Sequence, residues 1–195
     1  SANPDLQDSD GITALAFAAS RGQEACVQVL LQRKASTELR DGNGRTALWW
    51  AEATGQTATA ELIRQHAAPP QPAPGKPAMS SSPAQLPVKI FHSAERGELQ
   101  KVVKWLRKGG PVDALCSSTT RDGRGSNFAL LHAAASYGHL EMVRELLKRG
   151  ASVDLQTNLG ATALMDAASY GHFSVLLVLL QHSRNPDLQN IHGHT

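Results

Sequence analysis

The feature that most constrains this chain is a period. Leu15, Leu48, Leu131 and Leu164 are each followed seven residues later by a glycine: Gly22, Gly55, Gly138 and Gly171. The steps from Leu15 to Leu48 and from Leu131 to Leu164 are both 33 residues. The run Gly-x-Thr-Ala-Leu recurs at Gly11, Gly44 and Gly160, and Gly193-His194-Thr195 begins another copy. A fixed step of this size means a stacked array. One unit cannot bury its own apolar face, so it must pack on its neighbours.

Each copy reads the same way, and Leu131 to Asp154 is the most regular: a short Ala-rich helix, a Gly-His turn, a second amphipathic helix and a glycine stop. Thr13, Thr46 and Thr162 stand where a hydroxyl can cap the first helix and satisfy a donor the helix leaves unpaired. The Ala runs that follow, such as Ala133 to Ala135, are small because neighbouring first helices must approach closely. The turn glycines permit the positive φ between the two helices. The second helices carry apolar residues at helical spacing, as in Val27, Leu30 and Leu31, or Val143, Leu146 and Leu147.

A 33-residue unit of turn plus two short helices, with these signatures in phase, resembles the ankyrin repeat family over everything but a central linker. The resemblance implies an all-α ankyrin solenoid, built of helix-turn-helix repeats with β-hairpin tips. The family's Thr-Pro-Leu-His run is only partly kept. Ala14, Ala47 and Ala163 replace the proline, and histidine survives only at His132, where the threonine position is Ala129. No copy has both partners of the family's Thr–His hydrogen bond.

The chain divides into three parts. Residues 1–66 hold two repeats. Residues 67–87 carry Pro69, Pro70, Pro72, Pro74, Pro77, Pro83 and Pro87, seven of the ten prolines, and read as a spacer in which neither helix nor sheet can form. Residues 88–195 hold a capping repeat, two full repeats and the start of another. In the cap, His92, Glu95 and Arg96 stand where an internal repeat has smaller groups, and Lys101, Lys104, Arg107 and Lys108 flank Val102, Val103, Trp105 and Leu106. Ile90 to Leu131 is 41 residues, eight more than the period. The excess falls between Ala114 and Phe128, a Ser/Thr/Gly-rich loop containing Arg121-Asp122-Gly123-Arg124-Gly125, and such insertions project from one face of an array.

A cap in mid-chain is an odd order. Ser183-Arg-Asn-Pro-Asp-Leu-Gln189 nearly repeats Ser1-Ala-Asn-Pro-Asp-Leu-Gln7. The expectation is a parent protein that tandemly repeats a five-repeat module, with this chain about one period cut out of phase. Two repeats are fewer than the roughly three that stable arrays need. The open face of residues 1–66 should therefore dock on the open face beyond Leu180, either in cis, as a circular permutation, or in trans between chains.

Composition excludes more than it assigns. A net charge of +2 implies no nucleic acid, and the acids Glu95 and Glu98 interrupt the basic character of the cap. Cys26 and Cys116 are far apart, which offers no disulfide framework and suits a reducing compartment, the cytoplasm or nucleus. No apolar run approaches the roughly 18 residues of a membrane span. The start at Ser1 in mid-pattern reads as a piece of a longer protein. Among the eight histidines, His132, His139 and His172 fall on repeat positions, while His182, His192 and His194 lack the spacing of a metal site. Gly75-Lys76 lacks the rest of a phosphate loop, and neither a nucleophile elbow nor paired carboxylates occur. No enzyme, cofactor or metal is expected.

The resemblance implies a protein partner, bound through the hairpin tips and the inner face of the first helices. The matching tip positions are Asp10, Ile12, Asn43, Arg45 and Asn158. Those on the inner face are Ser20, Arg21, Thr54, Ser136, Tyr137, Ser169 and Tyr170. Tyr137 and Tyr170 hold equivalent places one repeat apart, so they should form a short aromatic ladder, and tyrosine suits interfaces by joining apolar area to a polar tip. Leu177 and Val178 replace the charged Arg144 and Glu145 of the preceding repeat, which makes them either a contact patch or a face buried against the next helix. The alternative reading is an assembly unit that associates head to tail through its open ends.

Overall fold

The computed structural model describes residues 2–66, 85–119 and 125–182. Among them the chain forms five helix pairs: α1 (Ala14–Ser20) with α2 (Glu24–Gln32), α3 (Ala47–Ala53) with α4 (Thr57–His66), α5 (Val88–Glu95) with α6 (Leu99–Arg107), α7 (Leu130–Ser136) with α8 (Leu140–Lys148), and α9 (Ala163–Ser169) with α10 (Phe173–Gln181). Thr13, Thr46 and Thr162 cap the first helices as expected, their hydroxyls accepting from the amides of Ala16, Trp49 and Met165. Where Ala129 lacks a hydroxyl, His132 serves instead. Its Nδ1 accepts from the Ala129 amide at 3.3 Å, and its Nε2–H donates to the Ala161 carbonyl of the next repeat at 3.2 Å.

The stacking order is not the chain order. First helices pack side by side in the sequence α5, α7, α9, α1, α3, so the N-terminal block follows the C-terminal one in space. The joint between α9 and α1 uses the same bonds as the joints the chain makes in order. The Ser36 amide donates to Asp5 at 2.8 Å and the Ser152 amide to Asp113 at 2.9 Å; across the permuted joint, the Asn3 amide donates to Asp154 at 2.9 Å. The Gly42 amide reaches the Asp10 carbonyl at 2.8 Å, and Ser9 reaches Leu159 in the same way at 2.7 Å. The Gln7 side chain donates to the Arg40 carbonyl at 2.9 Å, while the Gln156 side chain donates to Gln7 at 3.1 Å. Of the two docking routes open to residues 1–66, the structure has the one in cis.

The turn glycines explain why these joints fit. His139 and His172 lie against Gly97 and Gly138 of the preceding repeat, with Nε2–H donating to the carbonyls of Glu95 at 2.7 Å and Ser136 at 2.9 Å. Gln23 and Gln56 take the histidine's place against Gly171 and Gly22. A Cβ at any of these four glycines would enter the neighbouring side chain, and all four have φ near +70°.

The insertion is where the structure departs from the expected loop. Leu115–Thr119 (β1) and Gly125–Ala129 (β2) pair antiparallel, with Cys116 opposite Phe128. Alternation supplies the reason: Cys116 and Ser126 are buried, while Ser117 faces solvent. The other tips reach only single bridges, Gln7 to Thr13 and Gln156 to Thr162. Residues 121–124 of the insertion lie outside the described residues. So do the spacer's residues 67–84, the repeated run at 183–189, His192, His194 and the new copy at 193–195.

The buried core runs unbroken through all five pairs and includes Leu15, Leu30, Ile63, Leu131, Leu146, Leu164 and Leu179. α10 packs between α8 and α2, which leaves Leu177 and Val178 half-buried against the core rather than freely exposed. Cys26 and Cys116 are free and buried, and burial pushes the Cys26 thiol up to about 11. Among the described residues, no helix is long and apolar enough to cross a membrane.

Candidate functional site

Close approach of the Ala-rich first helices leaves their inner sides as one surface, and the tips overhang it. The result is a concave groove of about 300 Å³, lined from four repeats. Phe91 and Glu95 come from the cap, Phe128, Ser136 and Tyr137 from the next unit, Met165, Asp166, Ser169 and Tyr170 from α9 and its C-cap, and Phe17 and Arg21 from α1 and its C-cap. Asp8, Ser9 and Asp10 close it from the tip. Asp8, Ser9, Asp10, Phe17 and Arg21 reach the groove only because the N-terminal block docks in cis.

Several expected positions therefore meet. Tyr137 is 45% exposed and stacks on His139, with ring centroids 6.3 Å apart and planes within 8°. Tyr170 lies against His172 at 6.5 Å, so each tyrosine is braced by the turn histidine that follows it. The Arg21 guanidinium stands over the Tyr170 ring at 5.7 Å, a contact made across the permuted joint. Ser136 and Ser169 line the same wall.

Other positions are engaged within the fold. The Asn158 side chain accepts from the Ser126 hydroxyl at 2.8 Å and the Asn127 amide at 2.9 Å, tying the long hairpin to the next tip. Arg45 pairs with Asp41 at 3.0 Å and lies over Trp49 at 4.8 Å and Trp50 at 4.5 Å. Burial pushes the Asp41 carboxyl up. The amides of Arg45 and Asn43, the Arg45 charge and the Trp50 indole outweigh that and hold it below its usual value. Ser20 and Thr54 donate to the carbonyls of Phe17 and Trp50 on their own helices, at 3.0 and 2.8 Å. Ile12 is half-buried on the core, whereas Asp10 and Asn43 are exposed at the tips.

Asp166 is the residue that reading the sequence missed. The aligned places in the other full repeats are Phe17, Trp50 and Ala133, and in the cap His92. An acid where the other full repeats carry an apolar residue was the available signal. Its residue is half-buried on the groove wall, but Oδ2 is closed to solvent and has no hydrogen-bond partner among the described residues. Burial raises the carboxyl to about 7, and the Ser136 hydroxyl's hydrogen bond offsets only part of that rise. His132, fully enclosed nearby in α7, is lowered to about 4 by burial, against the upward pull of its bond to Ala161. Among the described residues, no group of three His, Cys, Asp or Glu side chains is placed to hold a metal.

The family model for ankyrin repeats (3 copies) matches residues 1–72 and 90–190, most of the chain. The chain belongs to the ankyrin repeat family. No curated protein matches it. Ankyrin repeats are generally protein–protein interaction modules and are typically not enzymes. In this ankyrin protein the match comes in two segments, and the gap between them holds most of the proline-rich run.

Proposed function

We propose that this ankyrin protein binds a partner protein in the concave groove and along the overhanging tips, with the two blocks acting as one surface. The observation that carries the reading is the groove itself. Aromatic side chains from four repeats converge there, and Tyr137 stands nearly half exposed although the fold could have buried or replaced it. Large rings with polar tips at the centre of a preformed concavity are what hot spots are made of.

The test is capture of protein partners by the immobilised full chain, compared with Tyr137→Ala/Tyr170→Ala. The pair should lose a partner that a control on the outer helices, Glu141→Ala/Arg144→Ala, keeps. Equal capture by the tyrosine pair would overturn the reading. Head-to-tail assembly gains no support, because the α9–α10 face such a neighbour would need is covered by α1 and α2 of the same chain. Size that stays constant with concentration accords with a binder.

A further inference from the structure

The array starts at the cap. There α5 packs on α7 along one side and, among the described residues, no further helix pair stacks on the other. A second hollow, of about 490 Å³, is lined by residues of α5, α6 and their C-caps alone. No residue lines both this hollow and the concave groove. Its apolar members, Ile90 and Trp105, are half-buried, whereas Lys89, Lys101, Lys104 and Lys108 are exposed, so charges stand around an apolar base. Gly110 packs against the indole of Trp105 so closely that a Cβ there would enter the ring, which holds it in place. The charge is one-sided as well. Residues 85–110 carry six lysines and arginines against Glu95 and Glu98, in a chain whose net charge is only +2.

The far end of the array shows what completes such a cluster. There the Asp41 carboxylate joins the Arg45 guanidinium at 3.0 Å and accepts from the Trp50 indole at 3.1 Å. The cap has the tryptophan and the cations, but its own carboxylates are engaged elsewhere. Glu95 holds His92 at 2.6 Å, and Glu98 holds Arg96 and Lys101 at 3.6 and 3.0 Å. The Trp105 indole N–H and the ammonium groups of Lys89, Lys104 and Lys108 have no partner among the described residues. Nor does the rest of the chain hold a spare acidic run. Residues 67–84 contain neither Asp nor Glu, and residues 120–124 and 183–195 contain one acid each, Asp122 and Asp187, with arginines close by.

We propose that the hollow between α5 and α6 takes an acidic segment of a partner protein, seating an apolar side chain on Ile90 and Trp105 and its carboxylates among Lys89, Lys104 and Lys108. This is a second docking surface and does not rest on the reading of the concave groove. Exposed ion pairs are individually weak, so the apolar seat and the charges must act together. A bare phosphate leaves the apolar base empty, and a layer of lipid headgroups inserts no side chain into a concavity.

The probe is the peptide acetyl-Asp-Glu-Glu-Leu-Phe-Glu-Glu-Asp-amide, titrated into the isotope-labelled full chain and followed by backbone and indole NMR shifts. One control replaces every acid by its amide, and a second replaces Leu-Phe by Ser-Ser. The probe should bind saturably, move the Trp105 indole and the amides of α5 and α6, and weaken as salt is raised. Each control should bind about ten-fold more weakly. Lys104→Glu/Lys108→Glu should cost the probe about ten-fold, and Lys89→Glu on the other helix should weaken it too, while Lys148→Glu on α8 changes little. All these lysines are exposed, and amide signals away from the cap report that the variants keep the fold. Equal binding by the amide control removes the role of charge, and equal binding by the Ser-Ser control removes the apolar seat; either result sinks the proposal. So does loss of probe binding in Tyr137→Ala/Tyr170→Ala, which would place the peptide in the concave groove. Phosphatidylserine vesicles that bind through Lys104 and Lys108 while the peptide does not would make the cap a lipid-binding surface instead.

Discussion

At the scale of single residues, two enclosed titratable groups pull the pH response in opposite directions. Asp166 has a folded value of about 7 against its usual 3.8, so the folded protein holds a proton that the unfolded chain has released. Its contribution favours folding at low pH and is lost as pH rises from about 4 toward 7. His132 is lowered from 6.5 to about 4, so its contribution is present above 6.5 and lost as pH falls toward 4. Between those limits the two proton balances cancel. Asp166→Asn removes one of them. The variant's advantage over the native protein in urea unfolding should grow between pH 4.5 and 7 by up to about 1.4 kcal/mol per pH unit, then level off. A constant difference across that range would show that Asp166 is ionised in the fold throughout.

At the scale of elements, the tip glycines allow strain to be separated from contact. Gly44 and Gly160 share a left-handed backbone, with φ of +79° and +75°. A Cβ at Gly44 would meet nothing within 4 Å, whereas one at Gly160 would lie 2.7 Å from the Asp8 backbone across the permuted joint. Gly44→Ala should cost about 1–2 kcal/mol from conformation alone. Gly160→Ala should cost more and should selectively weaken protection of the amides of residues 2–66 in hydrogen exchange. Equal losses for the two variants would mean that the joint is not formed as described. Much at this scale was legible in advance. The threonine caps, the turn glycines and the helix pairs all follow from residues whose local chemistry admits few alternatives. The long hairpin did not follow, because Cys116-Ser-Ser-Thr119 is as common in loops as in strands and only its neighbours select the ladder. Asp166 was equally hidden, since a sequence shows an acid but not the walls around it.

At the scale of the whole molecule, the repeats announced the array and its two open faces, but pattern alone could not choose between docking in cis and in trans. That choice depends on reach and on effective concentration, which a tether of about 20 residues can hold near the millimolar range. Within the block of residues 2–66, α1 buries one side against α3 and the other against α9. Residues 1–66 alone would expose the α9 side and have only two repeats to stabilise them. Circular dichroism of that fragment should show a largely unfolded chain. Adding a separate fragment of residues 85–195 should restore helix in a concentration-dependent way. A cooperative thermal transition of residues 1–66 by themselves would contradict this.

The permuted joint also sets a timetable. During synthesis, α1 leaves the ribosome well before α9, the helix it must lean on, has been made. At roughly 5–20 residues per second that interval is on the order of ten seconds, long compared with the microseconds in which a helix forms. For that time α1 waits for the α9 of this chain. The groove, with Arg21 on one side and Tyr170 on the other, is therefore among the last parts of the molecule to exist.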